Sequence, residues 1–272
     1  KMEDCFNMRR SELPGQAPVY NKRDIVFLRI WQKNAENQDW KFIENLLYQI
    51  ALSCGRIVFE IAGNKNKIML QLVTDKDTAS TISMSIKALF SPYIQAKESK
   101  DALCQIKHVG NLALIDVIPM MPYFRYLSFN KSSSPLSPIY TVLASLNDDQ
   151  FGIYRVVFEP AKHNWLRNIQ RIAYTLSKMG NLGSFLGPDY ENEMKYKAEG
   201  NCFFAVSVQA FIVGSAENMS GTIPLFLGNF RYGNQPLKYL TLNDYLKVLK
   251  PVDIEEMILS RVTYRPGMLL NP

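Results

Sequence analysis

Between residues 24 and 98 the apolar positions switch from alternation to helical spacing and back, and residues 124–242 follow the same order with a long insertion. The run Ile25-Val-Phe-Leu-Arg-Ile30 is rich in β-formers. Trp40, Ile43, Leu47, Ile50 and Cys54 then recur at helical spacing on one face, and Gly55 supplies a stop. Arg56–Ala62 alternates again, with Ile57, Phe59 and Ile61 on one side. Gly63-Asn-Lys-Asn66 is turn chemistry, and Ile68, Leu70 and Leu72 carry the returning strand of a hairpin. Thr74 with Asp77 predicts a cap for a helix whose inner face is Ala79, Ile82, Ile86 and Leu89, ended by Ser91-Pro92 before a strand at Tyr93–Lys97. Val58, Met69 and Val73 stand out of phase with the core set, so the second face of this sheet is expected to be covered too.

A further apolar strand, Leu112-Ala-Leu-Ile-Asp-Val-Ile118, reads as a link between the two cycles. The second cycle is predicted as a strand at Phe124–Phe129, a helix at Ile139–Leu146, a strand at Gly152–Phe158, a strand at Cys202–Val213, a helix at Asn218–Phe230 weakened by Gly221, Pro224 and Gly228, and a closing strand at Gln235–Leu242. Where the first cycle has a four-residue turn, the second has about forty residues. There Trp165, Ile169, Ile172, Leu176 and Met179 make an amphipathic helix, and Tyr190–Glu199 a short charged one.

The order β-α-β-β-α-β is the split βαβ of ferredoxin-like units. The fold expected is therefore α+β, with two ferredoxin-like units forming an internal repeat and the second carrying a helical insertion at 162–200. The boundaries follow as 1–123 for the first unit with its extension and linker strand, 124–250 for the second, and 251–272 for a C-terminal exit segment. With 272 residues the chain has room for two modest domains, and 47% apolar and 21% charged residues are ordinary globular values. A formal net charge of +6, spread without long basic runs, permits an anionic partner without demanding one. Cys5, Cys54, Cys104 and Cys202 are far apart and read as reduced core thiols of a cytosolic protein.

Candidate chemistry is sparse. Ser184 in Gly183-Ser-Phe-Leu-Gly187 lacks the spacing of a nucleophile elbow. Gly63-Asn-Lys-Asn-Lys67 has a lysine but belongs to a hairpin, not to a phosphate-binding loop at a helix start. Tyr154, Val156 and Phe158 alternate as a core strand does, and Phe203 and Phe204 open another; Arg29, Arg56 and Arg155 fit equally the basic partners of aromatics on an open nucleic-acid-binding sheet and ordinary edge or surface residues. The sequence assigns no catalytic, cofactor-binding or metal-binding residue to this segment.

At the C-terminus, Met257-Ile-Leu-Ser-Arg-Val-Thr-Tyr-Arg-Pro-Gly-Met-Leu-Leu-Asn271 resembles the junction found in conjugative-transfer ATPases of the HerA/FtsK superfamily, where a non-catalytic N-terminal region precedes a RecA-like motor. Val58-Phe-Glu-Ile-Ala-Gly63, the stretch Tyr154–Trp165, and Glu193-Met-Lys-Tyr-Lys-Ala198 leading into Phe203-Phe-Ala-Val-Ser-Val208 resemble that N-terminal region as well. The resemblance implies a piece of a longer protein whose motor uses ATP and Mg to move DNA or assemble a type IV secretion channel. Within this segment it implies an assembly and partner-docking role in the cytoplasm, at the inner face of the membrane. The implied partners are the chain's own motor domain, other subunits of an oligomer, DNA, and a membrane-associated or nuclease protein. Arg261 and Arg265 at the junction, and Trp165 on the insertion, are the expected partner or DNA contacts. Two other readings stand beside it: a stand-alone nucleic-acid-binding protein using an open β-sheet face, and an enzyme with a site between the two units.

Overall fold

The first apolar cycle becomes β1 (Ile25–Gln32), helix α1 (Trp40–Ser53), the hairpin β2 (Ile57–Asn64) and β3 (Lys67–Asp75), helix α2 (Lys76–Phe90) and β4 (Ile94–Glu98). The computed structural model describes residues 25–32, 40–53, 55–106, 110–120, 127, 136–161, 171, 175, 178, 202–228, 235–261, 263 and 268–270. A 3₁₀ turn at Ala102–Gln105 leads to β5 (Asn111–Pro119), α3 (Ser137–Ser145), β6 (Phe151–Pro160) and β7 (Phe204–Gly214). After these come α4 (Met219–Thr222), a 3₁₀ turn at Ile223–Leu227, β8 (Leu237–Thr241), α5 (Leu242–Leu246), α6 (Pro251–Ser260) and β9 (Met268–Leu270).

The protein is α+β. The described strands form one sheet in the order β4-β1-β3-β2-β6-β7-β5-β8, every neighbouring pair antiparallel, with β9 added against the start of β7. Outward from the β2–β6 contact the order is β2, β3, β1, β4 on one side and β6, β7, β5, β8 on the other.

One face of the sheet buries Ile57, Ile61, Tyr154, Val208 and Ile212 against α1, α2, α3 and the Met219–Leu227 segment. The other buries Ala62, Met69, Ile153, Phe211 and Val213 against the Ala102–Gln105 turn, α5 and α6. Strands covered on both sides lose the alternation of apolar and polar residues, which is why β2, β6 and β7 are so uniformly apolar. The close approach of α3 to β6 is made at Gly152, where a Cβ would lie 2.5 Å from Leu143 Cδ2 and 2.7 Å from Leu146 Cδ1. Among the described residues no helix is long and apolar enough to cross a membrane.

Several elements differ from the sequence expectation. The strand at 112–118, read as a linker, is β5, and it pairs with β7 and β8. It thereby takes the place expected for Phe124–Phe129, of which only Leu127 is described. The helix expected over 218–230 shortens to one α-turn and one 3₁₀ turn, since Gly221, Pro224 and Gly228 deny it a continuous backbone ladder. The cap of α2 is Asp75, whose carboxylate accepts from Thr78 N at 2.8 Å, while Thr74 Oγ1 donates to the Arg56 carbonyl. Among the described side chains of α1, Ile50 is buried and Ile43 is exposed. Of the insertion, Arg171, Thr175 and Lys178 are helical and exposed; Trp165 and the segment 190–199 lie outside the described residues. Among the described cysteines, Cys104 is exposed and so is no core thiol, while Cys202 is half-buried and packs against the main core cluster.

Candidate functional site

Six strands each contribute a polar residue to one line across the face covered by α6, and strand register makes that row continuous. Arg29 faces Gln71, Gln71 faces Glu60, Glu60 faces Arg155, Arg155 faces Gln209, and Gln209 faces Asp116. All six are buried, with Glu60, Gln71, Arg155 and Gln209 at 0% exposure. The row separates the apolar cluster under α6 from a smaller one of Val58, Val73 and Val157. Buried charge is costly unless paired and hydrogen-bonded, so the partners of each group decide what the row does.

Glu60 sits at the centre with both carboxylate oxygens engaged. Arg155 Nε donates to Oε1 at 2.7 Å, while Gln71 Nε2 at 2.7 Å and Arg261 Nη2 at 3.2 Å donate to Oε2. Burial alone would raise the Glu60 pKa; the charges of Arg261 and Arg155 and the Gln71 hydrogen bond outweigh it and bring it down to about 2. Gln71 is fixed in turn by the Ala102 amide, which donates to its Oε1 at 2.9 Å, and by its own donation to Asp101 Oδ1 at 3.1 Å.

Arg155 spends its remaining donors on a helix end. Its Nη2 donates to the Ile258 carbonyl at 2.6 Å and Nη1 to that of Met257 at 3.4 Å, so a cation caps the C-terminus of α6 where the dipole is negative. The guanidinium also lies over the Phe211 ring, 5.1 Å from its centroid. Burial pulls its pKa down to about 10 against the attraction of Glu60, which leaves it charged at neutral pH.

Arg261 follows α6 in the left-handed region at φ 56, unusual for a residue with a side chain. Its amide bonds back to Met257, and its guanidinium reaches Glu60, Asp101 at 2.5 Å and the Leu259 carbonyl, over the Phe27 ring. Burial lowers its pKa, but Glu60 and Asp101 more than offset this and the net shift is upward. Arg56 Nη2 donates to Thr263 Oγ1 at 3.3 Å, which holds the chain just past Arg261 against the start of β2.

On the far side of the row, Gln209 Nε2 donates to Asp116 Oδ2 at 3.4 Å and the buried Tyr245 hydroxyl of α5 donates to the same oxygen. Gln209 Oε1 has no protein partner.

Of the three expected partner contacts, the structure places Arg261 in this network, at 3% exposure, and Arg29, open to an edge or surface reading, is buried in the row as well. Trp165 and Arg265 lie outside the described residues. Arg155, read as an edge or surface position, is fully buried on a central strand, because the second face is closed by α6. Glu60, Gln71, Gln209 and Asp116 were not singled out. For Glu60, Gln71 and Asp116 the signal was a lone polar residue between same-face apolar neighbours, as in Val58-x-Glu60-x-Ala62, Met69-x-Gln71-x-Val73 and Leu114-x-Asp116-x-Ile118; Gln209 lacks it, since Ser207 precedes it on the same face. Among the described residues no group of three or more His, Cys, Asp or Glu is disposed to hold a metal. The chain matches no protein-family model, and no curated protein matches it.

Proposed function

We propose that this chain is a non-catalytic assembly and partner-docking domain of a DNA-translocating, conjugation-type or HerA-like ATPase, built from two ferredoxin-like units. The observation that carries the reading is the anchoring of the outgoing chain. Arg155 caps α6, and Arg261 immediately after it is bound to Glu60 at the middle of the sheet. Displacement of the exit segment is thus felt at the β2–β6 contact, the arrangement a coupling domain requires. The unit reading draws support from the strand orders β2-β3-β1-β4 and β6-β7-β5-β8, each the order of a split βαβ read from its second strand.

The other two readings have less behind them. Tyr154, Phe203 and Phe204 are buried, so they offer bases no stacking surface. Glu60 and Arg155, which meet between the two groups of strands, are enclosed and bound to each other, which leaves a substrate no access to them.

In this role the chain supplies no nucleotide site; ATP and Mg belong to the motor that the junction resemblance implies, and DNA, other subunits, and a membrane-associated or nuclease protein are its partners in the cytoplasm. The test removes residues 25–260 from the complete protein. ATP hydrolysis is expected to survive, while oligomer assembly and its stimulation by DNA are lost. Retained assembly and coupling would overturn the proposal, as would calorimetric binding of ATP by the isolated chain.

A further inference from the structure

We infer that the Glu60–Arg155 pair selects which strands meet at the centre of the sheet, favouring β2 against β6 of the same chain over β2 against β2, or β6 against β6, of a second copy. The inference rests on the two-unit reading proposed above. A two-fold axis between Glu60 and Arg155, applied through the observed registers alone, carries Gln71 onto Gln209, Arg29 onto Asp116, and Ile94–Glu98 of β4 onto Leu237–Thr241 of β8. Two units so alike present like edges, and main-chain hydrogen bonding does not distinguish one strand edge from another.

Side chains at the axis do distinguish them. A β2–β2 contact about this axis sets residue 60 opposite residue 60, so two carboxylates meet in an enclosed site; a β6–β6 contact sets two guanidiniums together. Desolvated like charges disfavour both, while the observed pairing joins opposite charges at 2.7 Å. The neighbouring cross-strand pairs are Val58 with Val157, Phe59 with Val156, Ile61 with Tyr154 and Ala62 with Ile153. Being apolar, they carry no such preference. One buried charge pair therefore supplies the selectivity of an otherwise greasy seam, as buried polar groups do in other self-associating folds.

The full chain is refolded from denaturant over a range of protein concentrations and its mass distribution is followed by sedimentation. For E60M/R155M, in which Arg261 keeps Asp101, a species of twice the mass is expected, its share exceeding that of the unmodified chain by roughly tenfold or more. E60C/R155M refolded under oxidation is expected to yield a disulfide joining position 60 of one chain to position 60 of another, identified by peptide mapping. V58C/A62C, whose two cysteines the same axis would set opposite each other across a β2–β2 contact, keeps the ion pair and yields no interchain link between those positions. If E60M/R155M precipitates, E60Q/R155Q makes the same comparison with polar shape retained. A mass distribution identical to that of the unmodified chain overturns the inference and leaves the two-unit reading standing. Association that persists without the link at position 60 shows a surface other than this seam, and overturns the inference as well.

Discussion

Three residues, Arg155, Gln71 and Arg261, place four donors on the fully buried carboxylate of Glu60, and its ionisation is tied to the fold. Its pKa of about 2 lies below the ordinary 4.5, so the stabilisation is complete above pH 4.5 and is lost as pH falls from there through 2. The shift corresponds to about 3 kcal/mol. Asp244 and Asp148 also have lowered pKa values but sit near the surface, so the contribution of Glu60 is read as a difference. E60Q is expected to unfold more readily at pH 7 and to show a flatter dependence of unfolding free energy on pH between 4.5 and 2, measured by urea titration at each pH. Parallel pH profiles would show that Glu60 is not the acid-sensitive group. In the sequence Glu60, Arg155 and Asp116 are each a polar residue with apolar neighbours on both sides along the strand. Such a residue marks either an exposed face or an enclosed ionic cluster, and only the closure of the second face by α6 decides between them.

At the level of elements, the first two helices were readable from the spacing of their apolar residues and β1–β8 from short β-rich apolar runs; β5 was readable as a strand but not as a member of the second group, and β9 was not singled out. Register, which places Asp116 beside Gln209, is set by long-range pairing and leaves no local trace. Asp75 took the cap from Thr74 because the two are adjacent and both are good capping residues, a choice that local sequence does not make. The contact of α3 with β6 depends on the absence of a side chain at Gly152. Gly152→Ala is expected to cost about 1–3 kcal/mol by overpacking against Leu143 and Leu146. The loss would register as a lower denaturation midpoint with the denaturant slope unchanged. No loss would mean that α3 moves outward freely, in which case it is not part of the rigid core.

Across the whole molecule, the β2–β6 ladder and the charge row bind the two groups of strands into one cooperative body. Hydrogen exchange is therefore expected to show the amides of β2 and β6 opening only with global unfolding, and those of the edge strands β4 and β8 exchanging first. Exchange of β5–β8 as a block ahead of β1–β4 would show two independently stable units. The partners of Glu60 also lie far along the chain, Arg155 at a separation of 95 residues and Arg261 at 201. A ribosome delivers β1–β4 long before either arginine, so for much of its synthesis β2 is an open edge with a solvated carboxylate at its middle. A charge on a bare strand discourages pairing between neighbouring nascent chains. The same oxygen atoms that later seat the end of α6 thus guard the half-made protein on the polysome.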